Sequence, residues 1–173
     1  MNIANGRKVA ALILACGGFF SSTSQAVNID ITGLVVASPC VVNGSNNSLA
    51  VNLGDAIQAD DLATAGSATD WKTVTLSLTG CPASTSSFSV AFAGTGDDDD
   101  ADFYKNTGTA TNLKLELTDT SSETAYKNGA TLDNVAIPSS HAYDLVMRAR
   151  AVSKGNVMPG TILGQVQATF TYQ

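Results

Sequence analysis

Thr161-Ile162-Leu163-Gly164-Gln165-Val166-Gln167-Ala168-Thr169-Phe170-Thr171-Tyr172 decides the fold of this chain. Its even positions are Ile162, Gly164, Val166, Ala168, Phe170 and Tyr172. The odd positions after Leu163 are Gln165, Gln167, Thr169 and Thr171. Period-two alternation places each set on one side of a strand, so the segment reads as one strand with an apolar and a polar face. A matching pattern lies far upstream, where Val27, Ile29, Ile31, Gly33 and Val35 share a face of an extended segment before Cys40. A chain with a one-sided strand at each end can join its neighbours by lending one of them.

The segments between these ends read as strands and turns. Val27–Val36 is extended, and Pro39 stops it beside Cys40. Leu49, Val51 and Leu53 alternate in Ser48–Leu53, before the turn signal Gly54-Asp55. Val74, Leu76 and Leu78 form the next set, then Phe88, Val90 and Phe92, then Leu113, Leu115 and Leu117. Tyr143, Leu145, Met147 and Ala149 form one more. Short strands punctuated by Gly, Asn and Pro predict an all-β sandwich. A short helix is expected within Asp60–Ala68, and no linker divides the chain into two domains.

The first 26 residues read as a secretory signal peptide. Arg7 and Lys8 precede the apolar run Val9–Phe20, which is short for a membrane span, and Ser24-Gln25-Ala26 is a small-x-small cleavage pattern. Cleavage is expected after Ala26. A rival reading takes Ile13-Leu14-Ala15-Cys16-Gly17 as a lipoprotein box, although Leu14 is unusual at its place in such a box. Cleavage after Ala26 leaves 147 residues, enough for one domain. It also removes two of nine basic residues and none of the 15 acidic ones, moving the formal charge from −6 to −8. So acidic a chain is no nucleic-acid binder.

Cys40 and Cys81 remain after cleavage. In an exported protein they are expected to form one disulfide, closing a loop of 41 residues. Neither belongs to a C-x-x-C pair, and one histidine with one cystine cannot supply a zinc site. Asp97-Asp98-Asp99-Asp100 with Asp102 is the one site-like cluster. It lacks the alternating acids and distal Glu of a calcium loop, so it reads as a solvated hairpin tip. His141 has no G-x-S-x-G partner and reads as a surface residue. Gly94-Thr95-Gly96 does not open a helix, so it is no nucleotide fingerprint. The pattern predicts no enzyme, cofactor, metal or small-molecule substrate.

Several segments together resemble the subunits of chaperone–usher pili, the type 1 fimbrial proteins, and among these most closely the minor tip adaptors. Gly33-Leu34-Val35-Val36-Ala37-Ser38-Pro39-Cys40 is similar to the end of a pilin donor strand entering the first cysteine. Phe103-Tyr104-Lys105-Asn106-Thr107-Gly108-Thr109-Ala110, with Asn112 and Leu113–Leu117, resembles the central block of the adaptors. Gly160, fourteenth from the end, and the penultimate Tyr172 are further marks. The resemblance implies an incomplete immunoglobulin-like β-sandwich, a pilin fold lacking its last strand, with an N-terminal donor-strand extension. It divides the chain into a signal peptide (1–26), a donor extension (27–38) and a pilin domain (39–173).

On this resemblance Val27, Ile29, Ile31 and Val35 are the knobs of the donor strand, and Gly33 permits close approach at a shallow pocket. Gly160, Ile162, Gly164, Val166, Ala168, Phe170 and Tyr172 border the acceptor groove. The Cys40–Cys81 bond ties the first domain strand to its neighbour, and Gln173 meets basic residues of a periplasmic chaperone. Implied partners are that chaperone, an outer-membrane usher and neighbouring subunits, namely a tip adhesin and another adaptor. The implied destination is a fimbrium on the bacterial surface, where adhesion is mediated indirectly. Two alternatives stay open: a major shaft subunit, and a self-contained secreted sandwich that binds a glycan through Trp71 and the 94–102 loop.

Overall fold

Alternating apolar residues settle into two antiparallel sheets in the computed structural model, which describes residues 30–173. The expected signal peptide, Cys16, the cleavage position Ala26, and the arm residues Val27 and Ile29 lie outside the described residues. The chain divides into a unit ending at Leu34 and a unit spanning Val35–Gln173. In the first unit, residues 30–34 have no regular structure, and Ile31 and Leu34 are exposed.

The second unit holds eight strands among the described residues: β1 (Val41–Val42), β2 (Lys72–Thr79), β3 (Ser87–Gly94), β4 (Tyr104–Lys105), β5 (Thr111–Asp119), β6 (Thr131–Ala136), β7 (Tyr143–Met158) and β8 (Val166–Tyr172). One sheet runs β1-β2-β7-β5-β4 and the other β6-β3-β8. The two apolar faces meet in a core of Val74, Leu78, Phe88, Val90, Phe92, Tyr126, Leu145 and Met147. Period two explains it: in β2, Val74 and Leu78 are buried while Thr73 and Thr75 face water. Cys40 and Cys81 form the expected disulfide, at the start of β1 and just past the end of β2.

A second cluster, Leu62, Ala110, Leu113, Ala151 and Val157, gathers Leu53, Ile57, Leu115 and Ile162 around it. The core of this sandwich is therefore two clusters. At the end of β5, Asp119 accepts hydrogen bonds from Ser121 N (2.8 Å), Ser122 N (2.6 Å) and the Tyr126 hydroxyl (3.1 Å). Although burial acts against its charge, the serine donors hold its carboxyl well below the usual carboxylate range.

Four expectations are corrected. The terminal strand begins at Val166, because residues 161–165 pair with a loop and not with a strand. Ser48–Leu53 forms no strand; no neighbour pairs with it, and Leu49 and Val51 stay exposed. The short helix within Asp60–Ala68 is a single 3-10 turn, Ala59–Leu62, which serves to bury Leu62. The acidic loop is anchored and not simply solvated. Lys105 pairs with Asp98, Lys114 with Asp100, Lys127 with Asp102, and Lys154 with both Asp97 and Asp99, at 2.6–2.9 Å. Asp97 is buried under Lys154. No metal-binding group of acids, Cys or His occurs among the described residues.

Candidate functional site

A sheet ends where a strand has a neighbour on one side only, and the unpaired backbone there is a template for another chain. The outermost strands among the described residues are β1, β4, β6 and β8. Strands β1 and β4 have two residues each, too short to template a partner. Strand β6 is broken by a register shift opposite Phe88 and Val90, with Asn134 at φ +55°, and it carries Asp133. A bulge and a charge are the usual means of blunting an edge. Strand β8 has neither. Its seven residues, Val-Gln-Ala-Thr-Phe-Thr-Tyr, hold no charge and no proline, and their register with β3 is unbroken from Gly94↔Val166 to Phe88↔Tyr172.

The packing beneath that edge is one-sided. Phe88, Val90 and Phe92 on β3 are 0%, 1% and 1% exposed. Their cross-strand partners on the same face of β8, namely Tyr172, Phe170 and Ala168, are only half-buried. The Phe88 and Phe170 rings lie 5.8 Å apart, so the β8 side chains belong to the core yet lack cover on the outer side. A full-length neighbour on β8 would supply it. Val166 and Leu163 add exposed apolar surface near the start of the strand.

Residues 161–165 are held by the Phe103–Ala110 block, and this pairing explains two marks noted in the sequence. Thr107 N donates to Leu163 O (2.8 Å) and Ala110 N to Thr161 O (3.0 Å). Asn106 Nδ2 donates to Ala110 O (2.7 Å), while its Oδ1 accepts from Leu163 N (2.8 Å). Thr161 N donates to Thr109 Oγ1 (2.9 Å). Gly160 sits where a Cβ would collide with the main chain of Thr109 and Ala110, so any larger residue must push the two segments apart. At Gly164 a Cβ would meet only the end of the Leu115 side chain, which can turn aside. Ile162 is half-buried against the second core cluster.

The exposed side of the arm base adjoins the opposite end of β8. Val35 and Val36 are exposed, and the chain is fixed from Ser38 onward, whose carbonyl accepts from Thr85 Oγ1 at 2.6 Å. Gly33 lies in the unit ending at Leu34 and has open space around it. The loop after Cys81 also holds Gln173, whose oxygen accepts from Ser86 N (2.7 Å) and Ser87 N (3.2 Å). Sequence reading misses Thr85 and Asn106 as anchors, since neither stands in an alternating pattern. Trp71 offers little to a sugar: Arg148 and Arg150 lie over its ring at 4.3 and 4.1 Å. Those arginines are tied in turn to Glu123 and Glu116. His141 is exposed in the turn before β7.

The chain is similar to known proteins of one family along nearly its whole length. The family described as Fimbrial protein matches residues 29–173. Protein FimG of Escherichia coli K12 is 40% identical over 167 residues, covering 95% of each chain. The fimbrial-like protein YdeR of the same strain is 37% identical over 157 residues, covering 89% of this chain and 90% of YdeR. Among solved structures, the P pilus rod subunit PapA superposes with a TM-score of 0.61 over 79% of this chain and all of PapA. At 16% identity that likeness speaks for the fold alone, the immunoglobulin-like fold of pilins.

Proposed function

The chain belongs to the fimbrial protein family, and from that premise we propose that it is a minor tip adaptor of a type 1-like pilus, polymerising by donor-strand exchange. The family is one of structural, non-enzymatic subunits whose place is the fimbria at the cell surface, so its partners include other pilus subunits. One observation carries the reading of the edge. Residues paired across β3 and β8 on a single face differ from fully buried to half-buried, so one strand's worth of cover is missing along β8.

A neighbour's strand added there gains main-chain hydrogen bonds, and side chains at every second position set which strand fits. Gly160, Ile162, Gly164, Val166, Ala168, Phe170 and Tyr172 line the acceptor. This chain's own arm, 27–38, is lent to the next molecule through Val27, Ile29, Ile31 and Val35, with Gly33 at the closest approach. The pilin domain is 39–173, and 1–26 is the signal for export, removed after Ala26. During export a periplasmic chaperone covers the edge and contacts Gln173, and an outer-membrane usher carries out the exchange. The adaptor position rests on the likeness of Phe103–Ala110 and Leu113–Leu117 to the minor tip adaptors.

The test is periplasmic expression with and without a type 1 pilus chaperone. Recovery as a one-to-one complex, with the free chain lost to aggregation or proteolysis, is the expected result. Abundant, monomeric, stable protein made without the chaperone would overturn the reading.

A further inference from the structure

Tyr172 has a second property that strand addition to β8 alone does not use. Its hydroxyl is buried and is, among the described residues, the buried side-chain polar atom left without a hydrogen-bond partner. Other phenols of the core are satisfied: Tyr104 Oη donates to Tyr126 O at 2.7 Å, and Tyr126 Oη to Asp119 Oδ2 at 3.1 Å. Leaving such a group unpaired costs about 1–3 kcal/mol, and folded proteins tolerate few.

The position of this hydroxyl is informative. Tyr172 lines a cleft with Val35, Val36, Ala37, Ser84 and Gln173. The main-chain oxygen nearest in sequence is taken, since Gln173 O already accepts from Ser86 and Ser87. Val35 and Val36, at 98% and 72% exposure, give the cleft an apolar rim. Burial raises the phenol's pKa above its ordinary value, which keeps the group a donor at any physiological pH. The cleft therefore brings this unpartnered phenol, with Ser84 and Gln173, beside an apolar rim at the end of an unpaired edge. An extended peptide supplies the complement, because its carbonyl oxygens recur along the strand and its side chains reach the rim.

We propose that this cleft is a terminal subsite for the strand that adds to β8, and that Tyr172 Oη donates a hydrogen bond to a main-chain carbonyl at that strand's end. The inference rests on the strand-accepting reading above. It has a structural consequence: the base of the donor arm and the end of the acceptor edge share one cleft, so successive joints of the polymer adjoin.

Tyr172→Phe removes only the hydroxyl and keeps the ring stacked beside Phe170 (centroids 6.4 Å apart). Wild type and Y172F are purified bound to chaperone and challenged with excess synthetic peptide of another adaptor subunit's N-terminal extension, and peptide release is then timed. Y172F is expected to be recovered as well as wild type and to release the peptide about tenfold faster, as loss of one buried hydrogen bond of about 1.4 kcal/mol implies. Equal release rates overturn the subsite and leave strand acceptance intact. Failure of the wild type to capture the peptide also overturns it, while chaperone dependence decides strand acceptance separately. Peptides with one amide replaced by an ester, which removes one N–H and weakens the adjoining carbonyl, probe the bond when released from both proteins. At one position near an end the ester must speed release from wild type more than from Y172F, and equal effects at every position overturn the subsite.

Discussion

Replacing Ile31 with aspartate is expected to abolish incorporation of this subunit into pili while the chaperone-bound protein is recovered in normal yield. Ile31 is 93% exposed and lies outside both core clusters, so its side chain contributes nothing to the sandwich. Its place is on the apolar face of the arm with Val27, Ile29 and Val35. If that face enters a neighbour's groove, Ile31→Asp buries a carboxylate against apolar side chains with no partner. Such a charge costs several kcal/mol, and each 1.4 kcal/mol is about a factor of ten in binding. A loss of more than about a hundredfold in joint formation follows. Quantifying the subunit in sheared pili against its periplasmic complex reads it directly. Normal incorporation of I31D would remove the arm from the mechanism. The neutral change Ile31→Val should be tolerated, since it removes one methylene and adds no charge.

The second large effect concerns the Cys40–Cys81 bond. Its loop of 41 residues holds the exposed Leu49 and Val51, the half-buried Leu53 and the 3-10 turn that buries Leu62. On the chain-entropy account such a closure stabilises by roughly 4 kcal/mol. That is a large share of what a domain of this size has, and this domain lacks cover along β8. Both sulfurs are also in the core, packed with Phe88 and Val90 in the same cluster. The double change Cys40→Ser with Cys81→Ser should therefore lower the chaperone-bound yield to near zero at about 37 °C. Wild-type protein folded under reducing conditions should fail likewise. Undiminished yield and an unchanged melting temperature would show that β1 and β2 hold the first segment without the bond.

Alternation is a sound guide wherever both conditions for it hold, a buried face and a paired neighbour. Strands β2, β3, β5 and β7 meet both, and their apolar sets point inward. Leu49, Val51 and Leu53 have the same spacing but no neighbour, so pattern alone makes no strand there. Strand β6 is the reverse case: in Thr-Leu-Asp-Asn-Val-Ala the register shift near Asn134 puts Leu132 and Val135 three apart, which hides the period. The terminal alternation holds over most of its length as a face, with Ile162, Ala168, Phe170 and Tyr172 half-buried. Its first five residues are nevertheless tied to a loop by Asn106 and Thr109, an arrangement with no sequence period. The acidic run is legible as a loop. Its four lysines come from β4, β5, β7 and the turn before β6, and proximity of that kind is invisible until the strands are placed.

Candidate site residues divide in the same way. The borders of the edge follow from periodicity, and the cystine from compartment and count. Thr85, which fixes the arm's exit at Ser38, and the unsatisfied Tyr172 hydroxyl depend on three-dimensional packing.

Hydrogen exchange along β8 tests the central claim most directly. The amides of Val166–Tyr172 are measured in the chaperone-bound protein and in protein freshly separated from it. An edge open to a second strand predicts that amides directed away from β3 are protected in the complex and exchange like solvent-exposed groups once the partner is gone. Those directed toward β3 should change far less. Equal protection of both sets in both samples would mean that β8 already has two neighbours, and would contradict the account.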